Sequence, residues 1–156
     1  MNLKNAQFII ASGPVIIEDG KVLLNRHGHP EENPNKDQDI KEKSLWKFLG
    51  GRIENFDFDN ELESLETACK REVKEEMGLE IEIVRPLKPM MIAHPDKPNT
   101  VIILIHYLAK RLNNIKPASF LEEYAWFDIN NLPKSCAPNI KVVIDEYINS
   151  VLGSMN

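Results

Sequence analysis

Apolar runs separated by short polar breaks mark the first part of the chain. Phe8 to Ile17 is almost wholly apolar and predicts a strand, with a break near Gly13-Pro14, where neither residue supports a regular ladder. Glu18-Asp19-Gly20-Lys21 predicts a turn, because Asp-Gly tolerates positive φ. Val22-Leu23-Leu24 then returns as the second strand of a hairpin. From Arg26 to Lys43 the pattern is lost: the stretch is polar, contains Pro30 and Pro34, and reads as a long loop of the kind that often carries function. Leu45 to Leu49 predicts a short strand running into Gly50-Gly51.

A helical period follows. Asn60 to Met77 predicts a helix, with Asp59 or Asn60 as its cap and Gly78 at the left-handed position that closes it. Glu80 to Val84 alternates as a strand, and Met90 to Ala93 begins another. Thr100 to Ala109 is strongly apolar and predicts a strand central to a sheet. Pro86, Pro89, Pro95 and Pro98 punctuate the loops between them. Tyr124 to Asp128 is the last predicted strand. Asn139 to Leu152 returns to helical spacing, with Pro138 suited to its start.

Composition narrows the class. With 156 residues, 42% of them hydrophobic and 28% charged, residues 1–156 are expected to form one globular domain around one core. No apolar run reaches the length of a membrane span, and the first residues lack the pattern of a secretory signal, so a cytoplasmic location is expected. Two cysteines, Cys69 and Cys136, offer neither a disulfide framework nor zinc-ligand spacing. A net charge of −5 argues against a nucleic-acid scaffold but not against an anionic small molecule, since a bound cation can reverse the local field.

On a helical wheel, Leu62, Leu65, Cys69 and Val73 form the apolar stripe, with Ala68 and Met77 at its margins. Glu72 lies three and four positions from Glu75 and Glu76, and Glu72 and Glu76 project toward the apolar side. Like charges at these spacings repel, and more strongly as they lose water. A hard divalent cation relieves the conflict, because Mg²⁺ prefers oxygen ligands. A solvated acidic face explains the wheel equally well.

The longer string separates these readings. Gly51 is followed after a loop by Glu63, and then by Arg71-Glu72-Val73-Lys74-Glu75-Glu76-Met77-Gly78-Leu79. This resembles the Nudix hydrolase signature G-x5-E-x7-R-E-U-x-E-E-x-G-U, in which U is a bulky aliphatic residue. Glu63 to Leu79 has the family's spacing throughout, with Val73 and Leu79 at the aliphatic positions. The approach Trp46 to Glu54, with its Gly50-Gly51 pair, also looks like the family's. Two departures stand out: the loop from Gly51 to Glu63 is about six residues longer than the signature, and Leu49 stands where the family usually has proline. Beyond this box, the opening hairpin, Glu122 to Phe127, Leu132-Pro133 and the closing helix are similar to the family's later elements.

The resemblance implies an α/β/α sandwich around a mixed β-sheet, and water attack on one phosphorus of a diphosphate. It implies Glu72, Glu75 and Glu76 as ligands of Mg²⁺ or Mn²⁺, Arg71 as the group that orients a carboxylate, and Gly51 as the bend opening the catalytic loop. The implied substrate is a nucleoside diphosphate linked to another group. ADP-ribose, dinucleoside polyphosphates, sugar nucleotides and triphosphates all suit the motif, and the short chain favours a triphosphate. The alternative is a Nudix-fold nucleotide-binding or regulatory module without activity; the complete glutamate set argues against it. A homodimer is compatible with either.

The general base is left between Glu75 and a carboxylate from another loop, for which Glu122 and Glu123, just before the late strand, are candidates; surface glutamates at a strand end are the plainer explanation. Arg26 and His27 are candidates for phosphate contacts, against a solvated loop role shared with His29. Trp46 and Phe48, with Tyr107 and Tyr124, are candidates for stacking on a base, against core packing. His94 lies in a Pro-bounded loop, and His106 reads as a core histidine.

Overall fold

The computed structural model describes residues 2–27, 45–53, 64–118 and 122–154, with Leu3, His27 and Glu122 described in their backbone only. Among the described residues the strands are β1 (Gln7–Glu18), β2 (Lys21–His27), β3 (Gly51–Arg52), β4 (Ile81–Pro86), β5 (Met90–Ala93), β6 (Thr100–Arg111) and β7 (Glu122–Asp128). The α-helices are α1 (Leu65–Met77) and α2 (Pro138–Ser154). The chain divides into two compact units, Met1–Ile16 with Gly50–Lys116, and Ile17–Leu49 with Pro117–Asn156.

The first unit is built on β6. Its apolar run pairs in parallel with β1 from Gln7↔Thr100 to Ile16↔Ala109. Antiparallel β4 and β5 pair with successive stretches of β6, and β3 pairs with β1 at Ala11↔Arg52 and Ser12↔Gly51. A mixed sheet with helices puts the chain in the α/β class, as the pattern predicts. The expected break at Gly13-Pro14 is absent: β1 runs through both residues. The β3 ladder ends at Ser12, so the missing N–H of Pro14 falls outside it, and proline is tolerated there.

Helix α1 starts later than the pattern suggests. Ser64 is extended (φ −72°, ψ 153°) and its hydroxyl accepts the Thr67 N–H at 3.2 Å, which satisfies one of the free donors of the first turn. Asp59 and Asn60, the expected caps, and Leu62 lie outside the described residues. Leu65 is 36% exposed, and the buried stripe is Ala68, Cys69, Val73 and Met77, with Glu72 among them. This stripe meets the sheet where the Cys69 thiol lies beside the Ser12 hydroxyl and near Tyr107. The helix ends as expected at Gly78 (φ 62°), whose N–H bonds to the Lys74 carbonyl.

In the second unit, Asp19 (φ 50°) and Gly20 (φ 73°) make the tight turn joining the end of β1 to β2. β2 pairs with β7 from Lys21↔Asp128 to His27↔Glu122. Val22, Leu23 and Leu24 are all fully buried, so both faces of β2 are covered. Leu45 to Leu49 is not a strand: only the bridges Asn25↔Lys47 and Trp46↔Cys136 form there, and regular pairing begins at Gly51. Helix α2 starts at Pro138 as predicted and buries Asn139, Ile140, Val143 and Ile144. No helix among the described residues is long and apolar enough to cross a membrane.

Candidate active site

The last two turns of α1, in the first unit, carry Arg71, Glu72, Glu75 and Glu76. Glu72 is only 7% exposed, an expensive place for a carboxylate unless its charge is answered. The Arg71 guanidinium answers part of it: Nη1 lies 3.6 Å from Glu72 Oε1 and 4.0 Å from Glu75 Oε1. Arg71 therefore spans the two acids, while the Glu75 side chain stays half in solvent.

Glu76 is placed by a different element. A Cβ built on Gly51 would stand 3.3 Å from Glu76 Oε1, so the carboxylate lies against the glycine backbone. Gly50 precedes it at φ 104°, and a Cβ there would collide with the Ser12 carbonyl oxygen of β1. The glycine pair thus runs between β1 and the last turn of α1, where a side chain at the first position has no room. Gly50 as well as Gly51 is constrained. Glu63 lies outside the described residues.

Beneath the helix, burial holds Cys69 and Tyr107 in their protonated forms. Burial raises the Cys69 thiol to about 12, with the hydrogen bond to the Ser12 hydroxyl opposing. Tyr107 is also raised, by burial first and then by Glu66 and Cys69. His106 is buried in β6 and pushed down to about 4 by loss of water, against a backbone hydrogen bond at Gly13, so it is neutral at ordinary pH. That matches the core role expected for it. His94 serves a turn, its Nδ1 accepting the N–H groups of Asp96 and Lys97 at 3.0 and 3.1 Å.

Among the described residues, no three His, Cys, Asp or Glu side chains converge closely enough to form a complete metal cage. The donor set still fits a hard cation of the Mg²⁺ type. Such an ion keeps several waters and takes one or two protein carboxylates rather than a full cage, and Glu72 and Glu76 lie one helical turn apart.

The remaining candidates lie in the second unit. Arg26 Nε donates to Glu123 Oε2 at 2.6 Å, and its Cζ stands 4.4 Å above the Trp46 ring. Trp46 meets Phe127 edge-on, with centroids 4.8 Å apart. Trp46 is 9% and Phe48 5% exposed, so both aromatics are buried, and Arg26 covers one face of the Trp46 ring. Glu122 and Glu123 are not in a loop before the last strand; they are its first residues, opposite His27 and Arg26. The period-2 pattern of β7 starts with these two charged positions, and charge at a strand end hides it from a reading of apolar alternation.

Two contributors have no signal in local sequence. Ser12 bears on both Gly50 and Cys69, and Asn113, beyond β6, bonds to the chain just after α1. Both contacts join positions distant in the chain, and no local periodicity reports them.

The sequence profile of the NUDIX domain family matches residues 9–147. No curated protein matches the chain significantly by sequence. Among solved structures, the fold is similar to a MutT NUDIX hydrolase from Burkholderia pseudomallei, with a TM-score of 0.69, 20% identity, and 89% of this chain and 97% of that one covered. It is also similar to a MutT protein from Methanosarcina mazei Go1, with a TM-score of 0.66, 19% identity and coverage of 94% and 96%. An ADP-ribose pyrophosphatase from Streptococcus suis 89-1591 superposes at a TM-score of 0.57, with 21% identity and coverage of 89% and 91%.

Proposed function

Since the chain belongs to the NUDIX domain family, we propose that residues 1–156 act as one hydrolase domain that cleaves a diphosphate bond in a nucleotide, using Mg²⁺ or Mn²⁺. The observation that carries this reading is the placement of Glu76 against Gly51, one turn from a buried Glu72, with Arg71 between Glu72 and Glu75. An acidic face evolved only for solubility needs neither a buried glutamate nor a glycine cleared for its neighbour.

In this reading Glu72 and Glu76 would hold the cation, with Glu75 beside them as the third acid of the set. When bound, the ion neutralises phosphate charge and makes a coordinated water more acidic. The protein's own groups do the rest. Arg71 fixes the carboxylate directions by charge-assisted contact. Gly51 leaves the Glu76 oxygens and a phosphate oxygen free of a side chain. Glu75, exposed and close to Arg71, takes the proton of the attacking water as its oxygen bonds to phosphorus. The bridging oxygen then leaves with the other phosphorylated fragment, and the Glu75 proton returns to solvent.

A nucleoside triphosphate is the proposed substrate class, because 156 residues form a small domain; the ADP-ribose pyrophosphatase of similar fold keeps ADP-ribose in the comparison. The test is turnover of a panel of triphosphates, ADP-ribose, sugar nucleotides and dinucleoside polyphosphates, with products identified, with and without Mg²⁺. Metal-dependent release of a monophosphate from at least one of them is expected. A panel wholly uncleaved would leave only the binding-module alternative.

A further inference from the structure

The chain immediately after the acidic turn of α1 is gripped by one residue from the far end of β6. Asn113 Oδ1 accepts the Glu80 N–H at 2.9 Å, and Asn113 Nδ2 donates to the Gly78 carbonyl at 3.0 Å. One amide therefore satisfies a donor and an acceptor two residues apart, in the segment where a helix leaves its last carbonyls without partners. The grip is reinforced on both sides. Leu112 N–H bonds to the Glu80 carbonyl, Lys116 N–H bonds to the Met77 carbonyl, and Arg111 Nη1 donates to the Asn113 carbonyl. Gly78 must be glycine here for a second reason: a Cβ would stand 2.8 Å from the Lys116 carbonyl oxygen.

We propose that Asn113 is a positioning residue for the acidic turn of α1, setting the angle at which Glu75 and Glu76 face the cation. Residues follow one another around a helix by about 100°, so a small rotation of the last turn swings Glu76 off Gly51. Burial of Val73, Met77 and Leu79 holds the helix on the sheet, but apolar contact is not directional and leaves that rotation soft. Hydrogen bonds to both Gly78 and Glu80 are directional, and they act within four residues of Glu76. The proposal rests on the metal-binding reading of Glu72, Glu75 and Glu76.

The experiment compares wild type with Asn113→Ala and Asn113→Asp by amide hydrogen exchange in metal-free protein and by calorimetric titration with MnCl₂. Asn113→Ala removes both bonds; Asn113→Asp keeps the acceptor for Glu80 and loses the donor to Gly78. Expected are exchange at the Glu80 amide and the last amides of α1 about tenfold faster in Asn113→Ala, and Mn²⁺ affinity lowered about fivefold, with a nearly unchanged thermal midpoint. Asn113→Asp should keep the Glu80 protection and lose part of the affinity. Faster exchange at Glu80 with affinity unchanged in both variants would overturn the positioning role and leave a simple turn clip. Should wild type itself take up no Mn²⁺, the metal reading falls and the proposal with it; the exchange data then report only the clip.

Discussion

Glu76 Oε1 lies 3.3 Å from the point where a Cβ on Gly51 would stand, which ties the end of the acidic helix to the glycine pair that enters β3. Neither residue alone shows this. The glycine makes the approach possible, and the carboxylate gives it a purpose.

That relationship separates two neighbouring substitutions. Gly51→Ala meets only the end of a flexible side chain, so stability should fall by less than about 1 kcal/mol. The displaced Glu76 carboxylate should lower kcat/KM about tenfold, equivalent to about 1.4 kcal/mol of transition-state stabilisation. Gly50→Ala meets the Ser12 backbone at φ 104° and should cost about 3 kcal/mol of stability. Denaturant midpoints and steady-state kinetics on both variants check the contrast; equal stability losses would show that the two glycines do the same job.

In the second unit, burial outweighs charge. Trp46→Ala empties a packed site and should cost about 3–5 kcal/mol. Arg26→Ala removes an ion pair whose side chains are 30% and 45% exposed, together with its contact to the Trp46 face, and should cost about 1 kcal/mol or less. Urea denaturation of the two variants measures the difference.

His106 makes stability depend on pH. Its folded pKa, about 4, lies below the ordinary value of 6.5, so the unfolded chain binds the proton more readily. The stabilisation is therefore complete above pH 6.5 and is lost as pH falls toward 4, a change of about 3 kcal/mol at most. Denaturant midpoints between pH 4 and 7 should show this slope in wild type, and His106→Gln should flatten it. An unchanged slope in the variant would assign the effect to other groups.

Features that depend on neighbouring residues are legible in the sequence. The Asp19-Gly20 turn, the apolar run of β6, the closing Gly78 and the start of α2 each depend on residues within a few positions of one another. Features decided by tertiary contact are not. Asp59 and Asn60 look like helix caps by pattern, yet the cap of the described helix is the extended Ser64, whose hydroxyl reaches the Thr67 N–H. Pro14 looks like a break, yet the parallel partner carries β1 past it. Leu45 to Leu49 alternates like a strand, yet its backbone finds Asn25 and Cys136 only as single bridges. The same holds for the site. Arg71 to Glu76 is readable as a motif, whereas the steric role of Gly50 and the reach of Asn113 require the fold. The burial of Trp46 under Arg26 likewise turns an apparent stacking residue into a packed one.

The most direct measurement of the central claim is calorimetric titration of MnCl₂ into wild type and Glu76→Gln at pH 7.5. The account predicts saturable uptake by wild type and at least tenfold weaker binding by the variant, with the thermal midpoint unchanged. Uptake undiminished in Glu76→Gln, or absent from wild type, would contradict it.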